Sequence, residues 1–275
     1  MRALLLAVLA AATPAAGASA AGCGEVVQIA THDGTTTRYS LTARPGAPAA
    51  LMLLVGGDGI LELDGAGCPR ALSHNVLVRM MPFFQEAGLV TALVDAPSDV
   101  HGEDGLAGFR LASQHAEDLG KIVADLRART GAPVWMLGHS RGTISAANAA
   151  ACLKGMAAPD GLVLLSAMMV GEASKRKPFV AQTVFDAPLD AITIPMLAIG
   201  HEADSCVRSP ARLLGSLVAR THSVRPESAV VTGGPVAPGR APSVGDCGVG
   251  DPHDFVAQET ELAAGIRRFV GGGTF

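Results

Sequence analysis

Short apolar runs recur along the chain at 50–55, 89–94, 133–137, 162–168, 195–199 and 229–231. Runs of this length, closed by Gly, Pro or Asp, read as buried strands. The segments between them have helical character. Residues 113–130 place Ala116, Leu119, Ile122, Val123 and Leu126 on one face with charges between them, which predicts an amphipathic helix. Residues 76–87 predict a helix interrupted near Pro82, residues 143–154 one ended by Gly155, and residues 258–270 a closing helix. Near the start, 26–29 and 36–42 alternate in polarity around His32-Asp33-Gly34 and predict a hairpin. Apolar strands alternating with helices imply an α/β fold, a mostly parallel sheet covered on both faces. The pattern runs through 21–275 without an internal repeat or a long linker, so one domain is expected. A polar insertion at 171–191 is longer than an ordinary connection and predicts a small lid or an irregular loop. Its Lys175-Arg176-Lys177 run reads as a solvated face.

The first twenty residues stand apart. Arg2, an apolar run at 4–12 and Ala18-Ser19-Ala20 have the form of a secretory signal, cleaved to leave a start near Ala21. Export to the periplasm or the medium is therefore expected. Lipidation at Cys23 is the weaker alternative, because Ala20 stands where a lipobox has a large aliphatic residue. No run approaches the length of a membrane span. In an oxidising compartment the five cysteines would pair, with one left over. Cys206 and Cys247 flank two loops that carry candidate chemistry and are expected to bond. Cys23 with Cys68 would be the second bridge, leaving Cys152 as a buried thiol. The formal charge is −4, with no basic tract, so nucleic acid is not an expected partner.

The candidate chemistry begins at Gly138-His139-Ser140-Arg141-Gly142, a G-x-S-x-G motif set between a predicted strand and a predicted helix. A serine hydroxyl needs a histidine to take its proton and a carboxylate to orient that histidine. Asp204 follows the strand at 195–199 and is the candidate acid, with Glu172 as rival. His253, in the turn-rich stretch before the closing helix, is the candidate base, and His222 is a weaker one. An oxyanion hole would take backbone N–H groups from Arg141 and from Gly57 or Asp58 in the Gly56-Gly57-Asp58-Gly59 turn. A phosphate cradle at that turn lacks its lysine motif. A metal site from His201, Asp204, Cys206, Cys247 and His253 lacks zinc-ligand spacing. No cofactor and no metal are expected.

Together the G-H-S-R-G motif, the G-G-D-G turn, Asp204 and His253 resemble the α/β-hydrolase superfamily over most of the chain. With Asp95-Ala96-Pro97-Ser98-Asp99, Asp204-Ser205-Cys206 and Cys247 ahead of His253, the chain also resembles a group of exported bacterial α/β-hydrolases. Asp254 departs from that pattern, where relatives often carry glycine, and would act on the neighbouring imidazole. The resemblance implies cleavage of a small-molecule carboxylic ester, or a thioester, through an acyl-enzyme. An acyltransferase or peptidase on the same fold, or a binding protein without chemistry, are the alternatives. Aromatic residues make up only 4% of the chain, so an aromatic-lined sugar cleft is not suggested.

Overall fold

The apolar runs form one eight-stranded sheet with the order β1-β2-β4-β3-β5-β6-β7-β8. The computed structural model describes residues 23–174, 176–236, 241–248 and 252–275; the segment expected to be a signal, with its expected cleavage site, lies outside them. Strands β1 (Glu25–Ala30) and β2 (Thr36–Thr42) form the expected antiparallel hairpin, and β2 pairs antiparallel with β4 (Val90–Pro97). From β4 onward every pairing is parallel, through β3 (Ala50–Leu54), β5 (Val134–His139), β6 (Gly161–Leu165), β7 (Met196–His201) and β8 (Pro226–Val231).

Both faces are covered, which is why the central strands read as continuous apolar runs. In β3 the side chains alternate. Ala50, Met52 and Leu54 pack with α2 (Ser113–Thr130), α3 (Gly142–Cys152) and α4 (Leu214–Ala219). Leu51 and Leu53 pack on the other face with α1 (Val76–Glu86) and α5 (Glu259–Val270).

Two local expectations are corrected. Helix α1 continues through Pro82 without a break. Pro82 is exposed, so water can satisfy the carbonyl that the ring leaves unpaired. Cys152 is exposed, not buried: α3 is buried along 142–151, and only its last residue emerges. The insertion at 171–191 is an irregular loop carrying three single 3-10 turns, anchored by the buried Val184, Leu189 and Ile192. Within it Lys177 is not merely solvated: its ammonium bonds Asp104 at 2.6 Å and lies 3.5 Å from Glu103. Lys175 lies outside the described residues. No described helix is long and apolar enough to cross a membrane.

The topology positions the site. Strand order reverses at β3, which lies between β4 and β5, and ligands gather at the carboxyl ends of strands around such a point. There Leu54 pairs with Gly138, bringing the loop after β3 against the loop after β5.

Candidate active site

Ser140 occupies the turn between β5 and α3. Its φ is +51°, a left-handed conformation costly for a side-chain-bearing residue. The turn holds it there. The Ser140 N–H donates to the Leu165 carbonyl at 3.0 Å, and the Thr143 N–H donates to the Ser140 carbonyl at 3.0 Å. The flanking glycines are steric requirements. A β-carbon at Gly142 would lie 2.0 Å from the Leu54 carbonyl oxygen, and one at Gly56 2.8 Å from Ser140 Cβ.

Asp204 and His253 come together. Asp204 follows β7, and His253 lies in a single 3-10 turn, Pro252–Asp254, ahead of α5. His253 Nδ1 is 3.0 Å from Asp204 Oδ2, with both side chains fully buried. Asp204 Oδ1 accepts from the Cys206 N–H at 2.9 Å. A residue missed in the sequence completes the pair: Ser209 Oγ donates to Asp204 Oδ2 at 2.8 Å and stands 3.0 Å from His253 Nδ1. Both groups facing Nδ1 can accept, so the ring proton belongs on Nδ1 and Nε2 keeps its lone pair. Nε2 is buried and has no hydrogen-bond partner among the described residues, so it is not bonded to Ser140. Such contacts are often open without substrate and tighten when it binds. Glu172 instead bonds Arg208 at 2.5 Å, and His222 is exposed beyond α4.

His139, the variable position of the motif, links Ser140 to His253. Asn75 caps α1 by accepting from the Leu77 N–H, which fixes its amide as a donor to His139 Nδ1 at 3.0 Å. His139 Nε2–H then donates to the His253 carbonyl at 3.1 Å, and Ser166 Oγ donates to the same oxygen at 2.9 Å. Burial holds His139 neutral, its pKa pushed down to about 4. Asp254 is buried with its carboxylate 3.5 Å from His139 Nε2, so it faces this histidine. Burial also lowers His115 to about 3, its Nε2 lying 2.9 Å from Ser145 Oγ. Both histidines fold neutral, with pKa values below those of the unfolded chain. Their contribution to stability is therefore present above about pH 6.5 and is lost as pH falls toward 4. Unfolding free energy is expected to drop by about 2–4 kcal/mol between about pH 7 and pH 5, measured by urea titration; replacing both residues with glutamine would flatten the slope.

The turn after β3 faces Ser140. The N–H groups of Gly57, Asp58 and Arg141 donate to no group among the described residues. The turn is held from behind by Arg110, which is buried and has no carboxylate partner among the described residues. Its Nη2 donates to the Gly57 carbonyl at 3.3 Å and its Nη1 to Ser145 Oγ at 2.9 Å.

Two disulfides are formed, Cys206–Cys247 and Cys23–Cys68, with Cα separations of 4.5 and 4.9 Å. The first joins the Asp204 loop to the segment leading to His253, and a bridge between Cys206 and Ser243 reinforces it. Asp204, Cys206 and His253 each offer one ligand atom within 4.8 Å of the others. The donor set does not suit a metal, because Cys206 Sγ is spent in its disulfide and the remaining two groups bond each other. His201 is likewise engaged, Nδ1 accepting from the Ala203 N–H and Nε2 donating to the Gly233 carbonyl.

A cavity of about 610 Å³ opens over Ser140, walled by Met168, Phe179 and Arg141. No protein-family model matches the chain, and no curated protein sequence matches it. Solved structures do. A dienelactone hydrolase from Anabaena variabilis superposes with a TM-score of 0.59 at 14% identity, covering 91% of this chain and 97% of that one. A soluble variant of monoglyceride lipase from Saccharomyces cerevisiae gives 0.63 at 10% identity, over 96% and 100%. The chain has the α/β-hydrolase fold. An esterase of Pyrococcus furiosus adds a third likeness, 0.59 at 15% identity over 91% of each chain. On an α/β-hydrolase scaffold the loops after β5, β7 and β8 carry Ser140, Asp204 and His253 in the chain order Ser, Asp, His.

Proposed function

We propose that this protein is a serine hydrolase that cleaves a carboxylic ester, with Ser140 as nucleophile, His253 as base and Asp204 as the orienting acid. One observation carries the reading: a buried imidazole bonded through Nδ1 to a buried carboxylate, its Nε2 without a partner among the described residues, in the loop clamped by the residue preceding Ser140. The hydrolases and lipase that share the fold support the same reaction class.

The reaction runs in two steps. Ser140 Oγ attacks the ester carbonyl carbon and passes its proton to His253 Nε2. The oxyanion accepts hydrogen bonds from the N–H groups of Arg141 and of Gly57 or Asp58. Collapse expels the alcohol, which takes the proton from His253, and leaves an acyl-enzyme. Water then attacks that ester and gives its proton to His253; collapse breaks the bond to Ser140 Oγ, which takes that proton back from His253, and the carboxylic acid departs. Asp204 stays ionised and steadies the imidazolium.

The protein is read as an exported single domain of 21–275. The two disulfides support an oxidising compartment. The Cys23 sulfur that a lipid would need is bonded to Cys68.

Fluorophosphonate labelling of the oxidised protein tests the nucleophile. One label on Ser140, absent in Ser140→Ala, is expected together with turnover of short p-nitrophenyl esters. Ser140→Ala should lose at least about 10³-fold in kcat/KM. A folded protein that neither labels nor turns over esters would overturn the reading, and turnover of peptides alone would favour a peptidase.

A further inference from the structure

The cavity over Ser140 carries an unusual balance of charge. Three arginines line it, Arg110, Arg141 and Arg208, and three acids, Asp58, Glu103 and Glu172. Each acid is already engaged. Glu172 bonds Arg208 at 2.5 Å, Glu103 lies 3.5 Å from Lys177, and Asp58 Oδ1 accepts from the Ile60 N–H at 3.0 Å. Arg110 is spent on backbone and hydroxyl oxygens behind the turn, at Gly57 and Ser145. Arg141 is different. Its guanidinium is half-buried at the mouth of the reaction centre, has no carboxylate partner among the described residues, and rests only near the Phe179 ring, 5.9 Å from the centroid. Five N–H donors are thus held in a partly desolvated wall with no acceptor in hydrogen-bond reach among the described residues, the Asp104 and Asp58 carboxylates acting on the guanidinium only from a distance. Burial, and then the nearby Arg208 charge, press its pKa downward against a weaker upward pull from Asp104 and Asp58, and a bound anion would oppose the shift further.

We infer that the cavity takes an ester that itself bears a carboxylate, and that the Arg141 side chain receives this group while its backbone N–H faces the reacting carbonyl. The inference rests on the ester-hydrolase reading of Ser140. The planar guanidinium suits a carboxylate in a bidentate pair. The apolar members of the wall, Met168, Ile144 and Phe179, would cover the methylenes that join the acid to the ester. The resulting specificity is for half-esters of dicarboxylic acids or esters of hydroxy acids, against neutral esters of equal length.

The test compares matched pairs. On the acyl side, the p-nitrophenyl half-ester of adipic acid is set against p-nitrophenyl hexanoate. On the leaving-group side, p-carboxyphenyl acetate is set against phenyl acetate. The wild type is expected to prefer the acid-bearing member of one pair by roughly tenfold to a hundredfold in kcat/KM, the size of a charge-assisted hydrogen bond. The pair that shows the preference locates the carboxylate on the acyl or the alcohol side. Arg141→Gln should collapse that ratio, and Arg141→Lys should restore part of it. Binding is read separately, by calorimetry of monomethyl adipate, with its carboxylate on the acyl side, and of p-carboxyphenyl acetate, with its carboxylate on the leaving group, using Ser140→Ala and Ser140→Ala/Arg141→Gln. Arg141-dependent binding without ester turnover by the wild type would leave the anion site standing and sink the hydrolase reading. Turnover of neutral esters with no preference for either acid, or a preference that Arg141→Gln leaves unchanged, overturns the inference.

Discussion

Asp204→Asn is expected to lower kcat on a p-nitrophenyl ester by about 10⁴-fold while KM moves little. The reason lies in hydrogen-bond direction. The Cys206 N–H donates to Oδ1 and the Ser209 hydroxyl to Oδ2, and His253 Nδ1 lies 3.0 Å from that same Oδ2. A carboxylate accepts all three. An amide has one acceptor oxygen, and the Cys206 N–H, whose direction is fixed by the backbone, claims it. The amide nitrogen then faces Nδ1 as a donor. That reverses the imidazole, putting its proton on Nε2, where a base needs a lone pair. Shape and volume are unchanged, so thermal stability should shift far less than activity. Ser209→Ala removes a single donor and leaves the carboxylate charged, so a loss of about tenfold is expected. Adding Asp204→Asn to Ser140→Ala should cost almost nothing further, because groups that act as a unit are not additive. A drop of only a few-fold in Asp204→Asn would mean that His253 is oriented by Ser209 and its clamped carbonyl alone.

How much of this could be read from the sequence follows the range of the interactions involved. Strands and helices were legible because burial on both faces writes continuous apolar runs, and α2 matched its periodicity end to end. Pro82 misled because backbone chemistry marks a break, whereas solvent on that side of α1 lets the helix continue. Cys152 misled because ten buried neighbours in α3 do not bury the residue that ends it. The candidate serine, acid and histidine could be nominated from motif and chain order, and the structure brings the last two together. Ser209 and His139 could not be assigned roles, since each depends on a partner far away in the chain, 44 residues from Ser209 to His253 and 114 from His139 to His253. The one signal for His139 was its place beside Ser140. Arg141 could be nominated as a backbone donor from its place after Ser140, but its side chain, without a carboxylate partner among the described residues, became visible only once the neighbouring acids had been matched to their partners.

Removal of the Cys206–Cys247 disulfide should lower activity out of proportion to its effect on stability, and the second disulfide provides the control. The two bridges close segments of similar length, with sequence separations of 41 and 45. In the chain-entropy description each therefore contributes about 4 kcal/mol by restricting the unfolded chain. Paired Cys→Ser replacements at 23 and 68 or at 206 and 247 should then lower the unfolding free energy by similar amounts, measured by urea titration. Their positions differ. Cys23–Cys68 fastens the start of β1 to the loop after β3, while Cys206 lies two residues beyond Asp204 and its N–H bonds that carboxylate. Cys247 lines the cavity and precedes the turn that carries His253. Without the bridge, the Asp204 loop and the His253 segment keep the Ser243 pairing with Ser205 and Val207 but lose their covalent tie. Misplacement of about 1 Å between catalytic groups costs on the order of a hundredfold in rate. Assayed at low temperature, where both variants stay folded, the 206/247 pair is expected to lose about 10²-fold in kcat and the 23/68 pair only a few-fold. Equal losses of activity in the two variants would mean that the bridge over the site stabilises the fold without positioning Asp204 and His253.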